Sequence, residues 1–262
     1  MIGPSAINYV VLALVPFCST STVLHAWTEV DSRILVADVS LAHLSPPGNH
    51  AAQHEPPCLS ELVDAVAGCR VCRDTPIRRA LPHEPRPIHQ ISPTAKIVIA
   101  SQAPGLRAHV SGVPFQDPSG QRLREWLALD EKAFYDSTRL AIVPMGFCFP
   151  GYDANKGDLP PRPECRLTWH EAVFAAMPQV ELIFAIGTYA MRYHMARLGY
   201  AVNTKASMAE LVLEQGEMWS AGKARLLPLP HPSWRNTAWL NRNPRFEAEI
   251  LPRVRQLVRE LM

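Results

Sequence analysis

The sequence is poor in charged residues and contains no apolar run long enough to cross a membrane. Asp, Glu, Lys and Arg make up 19% of the 262 residues, whereas hydrophobic residues make up 47%. This balance excludes a highly charged disordered chain and is ordinary for a globular protein with a buried core. The apolar stretch at residues 7–17 (INYVVLALVPF) is too short for a bilayer, is interrupted by Pro16 and follows no Lys or Arg. We therefore expect neither a signal peptide nor a membrane anchor.

The chain also has little net charge, which is +2 with a pI near 8.3. Its C-terminal end is more basic, because six arginines and only three glutamates follow His231. An arginine-rich end can bind phosphates, but solvated helices have the same composition. Charge alone therefore permits a nucleic-acid partner without requiring one.

Prolines are abundant and are distributed unevenly along the chain. The 25 prolines predict long ordered loops, which suit a site built on loops. A linker-like segment at residues 45–50 (SPPGNH) precedes the first regular helical pattern at residues 59–67. We predict a poorly structured N-terminal extension over residues 1–57 and one domain over residues 58–262.

Four short apolar segments alternate with helical patterns along this domain. Such strands predict a parallel sheet covered on both faces, and right-handed crossovers then give a three-layer α/β/α sandwich. Ser119 and Thr188 are candidate N-caps of two of the helices. In such sheets ligands bind beyond the carboxyl ends of the strands, so we expect the site in loops 101–118, 144–165 and 230–236. The predicted strands of the central four-stranded parallel sheet are residues 96–100, 140–143, 180–186 and 224–229, and further helices are predicted at 167–177, 204–217 and from about 245 to the end.

The loop after the first predicted strand combines glycines with a carboxylate. Gly105 and Gly120 permit close backbone approach, and Ser119 and Gly120 lie where a helix begins and its amides favour an anion. Asp117 precedes that helix, where it could act on a substrate or only stabilise the helix N-terminus. Both interpretations of Asp117 remain open from the residues alone.

The loop after the last predicted strand holds a histidine between two prolines. Pro230 and Pro232 fix the backbone on either side of His231, so its imidazole is held and can stabilise negative charge on a leaving group. A structural histidine is the alternative. Trp234 and Arg235, just beyond, could enter a groove or stack on bases.

Four of the six cysteines form a two-plus-two pattern. Cys69 and Cys72 form a CxxC, and Cys148 and Cys165 are separated by 16 intervening residues in the second loop. Their spacing suits zinc or an iron–sulfur cluster in a reducing, cytoplasmic compartment, with free thiols as the third interpretation.

Taken in order, these segments resemble the uracil-DNA glycosylase superfamily, especially the iron–sulfur enzymes of its families four and five. The resemblance covers roughly residues 59–255. It is carried by Ala103-Pro104-Gly105, by Gly112-Val113-Pro114-Phe115, by residues 182–187 (LIFAIG) and by His231-Pro232-Ser233.

The resemblance implies an enzyme that flips a deaminated base out of DNA and hydrolyses its N-glycosidic bond. It favours a [4Fe–4S] cluster over zinc, and no motif indicates an oligomer, so a monomer is expected. The implied cluster ligands are Cys69, Cys72, Cys148 and Cys165. The implied catalytic residues are Asp117, His231 and Gln102, the base-binding residues Ala103, Pro104, Gly105 and Phe115, and the DNA-binding residues Ser119, Gly120, Pro232, Ser233, Trp234 and Arg235.

The chain departs from the family-four pattern at two positions. Ser101-Gln102 replaces the Gly-Glu of that family, and Pro144 stands where its uracil-reading asparagine is expected. Asp117-Pro118-Ser119-Gly120 instead resembles the Asp-x-Ser-Gly of family five. Two alternatives therefore remain: a non-catalytic iron–sulfur protein that binds nucleic acid on this fold, and a zinc-stabilised enzyme acting on a nucleotide or other glycoside.

Overall fold

The computed structural model describes residues 58–218 and 221–262, and the predicted extension, residues 1–57, lies outside them. Residues Leu59–Met262 form one compact unit. Within the described residues, no helix is both long and apolar enough to span a membrane.

A parallel four-stranded sheet forms the centre of this unit. Its strands are β1 (Ile97–Ala100), β2 (Leu140–Ile142), β3 (Leu182–Ile186) and β4 (Arg225–Leu229), in the order β2-β1-β3-β4. Every residue of the first three strands is buried. Apolar residues therefore point to both faces, as expected where helices cover a parallel sheet on both sides. The predicted α/β fold with a central four-stranded parallel sheet is confirmed.

Short helices connect the strands and cover the sheet. Two composite helices each contain a π-helical turn, Arg166–His170 before α7 and Phe246–Ile250 before α10. The α-helices are α1 (Leu59–Ala67), α2 (Val71–Asp74), α3 (Leu106–Ser111), α4 (Pro118–Leu127), α5 (Glu131–Phe134), α6 (Pro163–Cys165), α7 (Glu171–Ala175), α8 (Thr188–Arg197), α9 (Thr237–Arg242) and α10 (Leu251–Leu261).

The structure corrects both predicted N-caps. Helix α4 begins two residues earlier than expected, and its N-cap is Asp117, whose Oδ1 accepts a 2.8 Å hydrogen bond from the Gly120 amide. Pro118 explains the shift, because its fixed φ suits the first helical position. Helix α8 is preceded by Gly187 at φ 80°, and no side chain caps it, so the prediction for Thr188 was also wrong.

The segment predicted to be helical over residues 204–217 is helical only from 208 to 214, with a π-helical turn at Glu210–Glu214. The turn at residues 204–205 precedes it, and the Ser207 hydroxyl accepts a hydrogen bond from the Glu210 amide at 3.2 Å. The Ser207 hydroxyl thus accepts a hydrogen bond from an amide of the first helical turn, as an N-cap residue does, and this marks the start of the helical segment.

Candidate active site

A cavity of about 1200 Å³ opens at the carboxyl edge of the sheet. The loops that follow β1, β2 and β4 all contribute to it, as anticipated for a doubly wound sheet. Gly120 does not line the cavity, although it packs directly behind Phe115. The residues implied by the resemblance that line the cavity are Gln102, Ala103, Pro104, Gly105, Phe115, Asp117, Ser119, His231, Pro232, Ser233, Trp234 and Arg235.

The backbone after β1 is fastened to the loop after β2. The carbonyl oxygens of Ser101 and Gln102 accept hydrogen bonds from the amides of Met145 and Gly146, at 2.8 and 2.9 Å. The Gln102 side chain lies against Gly187, where an added Cβ would be 2.5 Å from Nε2. Because Gly187 has no Cβ, there is space for the side-chain amide of Gln102 within the cavity.

Phe115 has a left-handed backbone, with φ 57°. This conformation is uncommon for a bulky residue and costs roughly 1–2 kcal/mol, so neighbouring contacts must hold it. The Tyr135 hydroxyl donates a hydrogen bond to the Pro114 carbonyl at 2.9 Å, and the ring of Phe115 meets that of buried Phe134 edge-on at 6.1 Å. Gly120 supplies the remaining constraint, because an added Cβ would lie 1.7 Å from the Phe115 carbonyl oxygen. The aromatic ring is thus fixed at the cavity wall.

His231 is held in one orientation by its own loop. Its Nδ1 accepts a 3.2 Å hydrogen bond from the Ser233 amide, and its carbonyl accepts one of 2.8 Å from Asn236 Nδ2. An Nδ1 that accepts leaves the proton of the neutral ring on Nε2, which becomes a donor. Burial lowers the pKa of His231, with the positive charge of Arg235 acting in the same direction and the negative charge of Asp117 opposing both. The imidazole is therefore kept neutral near pH 7.

Arg122 connects the two motif regions and was not anticipated from the sequence. Its Nη1 lies 3.3 Å from the carbonyl oxygens of both Pro232 and Ser233. Because Arg122 belongs to α4, it fixes the His231 loop relative to Asp117 at the start of the same helix. Nothing distinguishes Arg122 from the neighbouring arginines in the sequence.

Another wall of the cavity is formed by residues 150–160, which lie within the predicted loop 144–165. Asp153 Oδ1 accepts hydrogen bonds from the amides of Asn155 and Gly157, both at 2.8 Å, so the segment is a tight turn. Asp158 faces Arg235 with 4.0 Å between Oδ2 and Nη1. Burial raises the pKa of Asp158, and Arg235 opposes that rise.

The rim of the cavity carries an exposed indole. Trp234 is 75% exposed, and the guanidinium of Arg235 lies over its ring at 5.6 Å from the centroid. Because Trp234 packs so little against the rest of the protein, the stability of the fold does not require an aromatic residue at this position.

The four cysteines of the two-plus-two pattern lie outside this cavity. Among the residues that the structure describes, no group of three or more Cys, His, Asp or Glu has the arrangement of a metal site. The cysteines nevertheless interact with one another: Cys72 and Cys165 share a hydrogen bond, which lowers the pKa of Cys72 and raises that of Cys165. The pKa of Cys148 is raised to about 12, mainly by burial; a hydrogen bond with the Arg86 backbone opposes this rise, and the nearby Cys72 and Cys69 contribute to it.

Backbone and indole donors point at two of these sulfurs. The Trp169 Nε1 donates to Cys69 Sγ at 3.2 Å, and the Phe147 amide donates to Cys165 Sγ at 3.4 Å. N–H donors directed at sulfur are a common means of stabilising metal-bound thiolates. The chemistry of this donor set therefore fits a thiolate-held metal or cluster.

The comparison with known families assigns the chain. A family model described as the Uracil DNA glycosylase superfamily matches residues 88–255, which is more than half of the sequence and contains the whole of the cavity lining. The matched region holds both motif loops and the complete parallel sheet. This protein therefore belongs to the uracil DNA glycosylase superfamily.

Proposed function

We propose that this protein is a DNA glycosylase that removes uracil or another deaminated base by hydrolysing the N-glycosidic bond. Membership of the superfamily indicates DNA glycosylase activity in general. The observation that carries the finer proposal is the meeting of Phe115, Gln102, Asp117 and the neutral imidazole of His231 in one cavity.

The substrate enters as a flipped nucleotide, because a base inside the duplex cannot be reached by the enzyme. The fixed ring of Phe115 offers a stacking surface to the base. The Gln102 amide carries both a donor and an acceptor, and so can read the edge of a pyrimidine or a deaminated purine. The backbone N–H groups of Ala103 and Gly105 complete the contacts to the edge of the base, whereas Pro104 has no N–H to donate.

Bond cleavage separates an anionic base from a sugar with cationic character. The Nε2–H of His231 donates a hydrogen bond to the leaving base, a type of contact worth about 3–4 kcal/mol in the transition state. Asp117 stabilises the cationic sugar or orients the water whose oxygen bonds to C1′ as the C1′–N bond breaks. The released base takes up a proton, and the DNA retains an abasic site.

Backbone phosphates position the strand. Ser119 lies in the first turn of α4, where backbone amides favour an anion. The amide of Gly120 in the same turn already donates to Asp117 Oδ1, so Ser119 rather than Gly120 is the proposed phosphate contact. Ser233 and Arg235 stand beside His231, with Pro232 fixing the turn between them. Trp234 at the rim is placed to stack on a base or fill the space that the flipped nucleotide leaves.

We further propose that Cys69, Cys72, Cys148 and Cys165 hold a [4Fe–4S] cluster. The cluster would supply structural cross-linking alone, tying the 144–165 loop to the segment after α1. Anaerobic purification should give brown protein with iron and sulfide in equal amounts, and Cys148→Ser should lose both. Colourless protein that contains zinc would contradict this assignment, because zinc thiolate sites do not absorb visible light.

One observation favours a non-catalytic DNA-binding protein instead. The carboxylate of Asp117 is already engaged as the N-cap of α4, a role that requires no chemistry. Gln102 and Pro144 also replace two polar residues of the family-four pattern.

Substitution of the two proposed catalytic groups separates the alternatives. Asp117→Asn retains an oxygen for the helix cap, and His231→Gln retains a polar side chain of similar length. For a glycosylase, both variants should lose single-turnover base release by at least about 100-fold while keeping the affinity for uracil-containing DNA. Wild-type protein that binds this DNA but releases no base would favour the binding protein.

A further inference from the structure

A second cavity, of about 540 Å³, lies beside the first. The two share Tyr189, which is 47% exposed, and the adjoining prolines Pro160 and Pro161 lie one in each. A bound strand that leaves the first cavity past Tyr189 would therefore reach the second cavity directly.

One face of helix α8 forms one side of this cavity. Tyr189, Arg192, Tyr193 and Ala196 all line it, and their spacing places them on one helix face. The α6 region supplies Arg166, whose guanidinium lies over the Tyr193 ring at 5.8 Å from the centroid. Aromatic rings and arginines thus alternate along the cavity.

The electrostatic balance of the cavity is positive. No acidic side chain is among the described residues that line it. Arg162 is neutralised by Glu164 at 2.8 Å, but neither Arg166 nor Arg192 has an ion-pair partner within residues 58–218 and 221–262. The Nε of Arg192 is buried and lacks a hydrogen-bond partner among the described residues. Arg192 as a whole is partly exposed, and a guanidinium that is open to the cavity but has a buried N–H without a partner favours an anionic ligand.

We infer that the second cavity binds the neighbouring nucleotide of the same DNA strand, with its phosphate on Arg192 and Arg166 and its base or sugar against Tyr189 and Tyr193. Grooves that combine cationic side chains with aromatic platforms bind single strands with little sequence preference. This inference rests on the proposed function for the identity of the ligand as DNA. It predicts that the contacts made by Arg166, Arg192, Tyr189 and Tyr193 extend the bound strand on one side of the flipped nucleotide.

Binding measurements with defined single strands test the inference. The probes are a fluorescent strand of about 15 nucleotides with a central 2′-fluoro-2′-deoxyuridine, which resists hydrolysis, and two strands truncated on either side of that nucleotide. The variants are Arg192→Gln, Arg166→Gln and both together, with the exposed Arg259→Gln on α10 as the matched control. Thermal unfolding of each variant verifies that the fold is retained.

The double variant should bind the long strand about tenfold more weakly. The slope of log Kd against log salt should fall by about 0.7 for each arginine, as for released counterions on single strands. One of the truncated strands should bind wild type and double variant equally, and Arg259→Gln should behave as wild type on all strands.

Equal affinity and salt slope for the double variant and wild type on every strand would overturn the inference. So would an equal loss on all three strands. Base release is recorded separately with a uracil strand: DNA binding with the predicted side-specific loss but without base release would overturn the proposed function and leave this inference standing.

Discussion

Replacing Gly120 by alanine is the sharpest perturbation of the cavity wall. An added Cβ would lie 1.7 Å from the Phe115 carbonyl oxygen and 2.6 Å from its carbonyl carbon. Carbon–oxygen contacts are ordinarily about 3.3–3.6 Å, so the backbone of Phe115 or the first turn of α4 must move by more than about 1.5 Å. The obstacle is backbone rather than a flexible side chain, and it cannot rotate away.

The displacement has two measurable consequences. Overpacking of this kind destabilises by about 1–3 kcal/mol, which lowers Tm by roughly 2–12 °C in a domain of this size. A misplacement of about 1 Å in an active site can reduce the rate 100-fold. We therefore expect Gly120→Ala to lower kcat/KM for base release by at least about 100-fold, because both Phe115 and the Asp117 cap move.

The assay is base release from a uracil-containing strand together with thermal unfolding. Gly68→Ala is the matched control, since the added Cβ there would lie 3.5 Å from the Asp64 carbonyl oxygen, an ordinary contact, and Gly68 does not line the cavity. A Gly120→Ala protein with the Tm and the kcat/KM of wild type would refute the close approach of Gly120 to Phe115.

Three further predictions follow from charge and burial. Asp117→Asn should lower the pKa of His231 and Arg235→Gln should raise it, because the carboxylate favours the imidazolium and the guanidinium opposes it. NMR titrations of the imidazole in which both variants shift this pKa in the same direction would contradict this. Burial lowers the pKa of His170 to about 4, so its contribution to stability is complete above about pH 6.5 and is lost as the pH falls towards 4. Unfolding followed against pH should therefore show a shallower acid decline for His170→Gln than for wild type, and equal slopes would count against it. Trp234→Ala should leave Tm unchanged, since the side chain is 75% exposed, yet weaken DNA binding by about 1–3 kcal/mol; unchanged affinity would remove it from the DNA contacts.

The sheet could be predicted from the sequence because its strands are short uninterrupted apolar segments. Their carboxyl ends converge at one edge in any parallel sheet, so the positions of the three loops followed from the strands alone. The start of β2 was predicted correctly, whereas the other three strand starts were placed one or two residues too early; before β3, for example, the apolar Val180 lies in the preceding turn. Helix starts were harder to predict: Pro118 allowed the turn to begin earlier and gave Asp117 the cap.

Contacts between distant segments could not be predicted. Arg122, Asp158 and Tyr189 lie at the cavity only because α4, the 150–160 turn and α8 pack where they do, and no local pattern distinguishes them. The left-handed conformation of Phe115 was equally hidden, since it depends on the absence of a Cβ at Gly120 five residues later.

Glycosylase activity is tested most directly by base release by wild-type protein from strands that contain uracil, hypoxanthine or xanthine. Each strand is incubated with anaerobically purified protein, and both the free base and the abasic product are quantified by mass spectrometry. We expect stoichiometric release of at least one of these bases, with an abasic site left in the strand. Bound DNA with no free base from any of the three strands would contradict it.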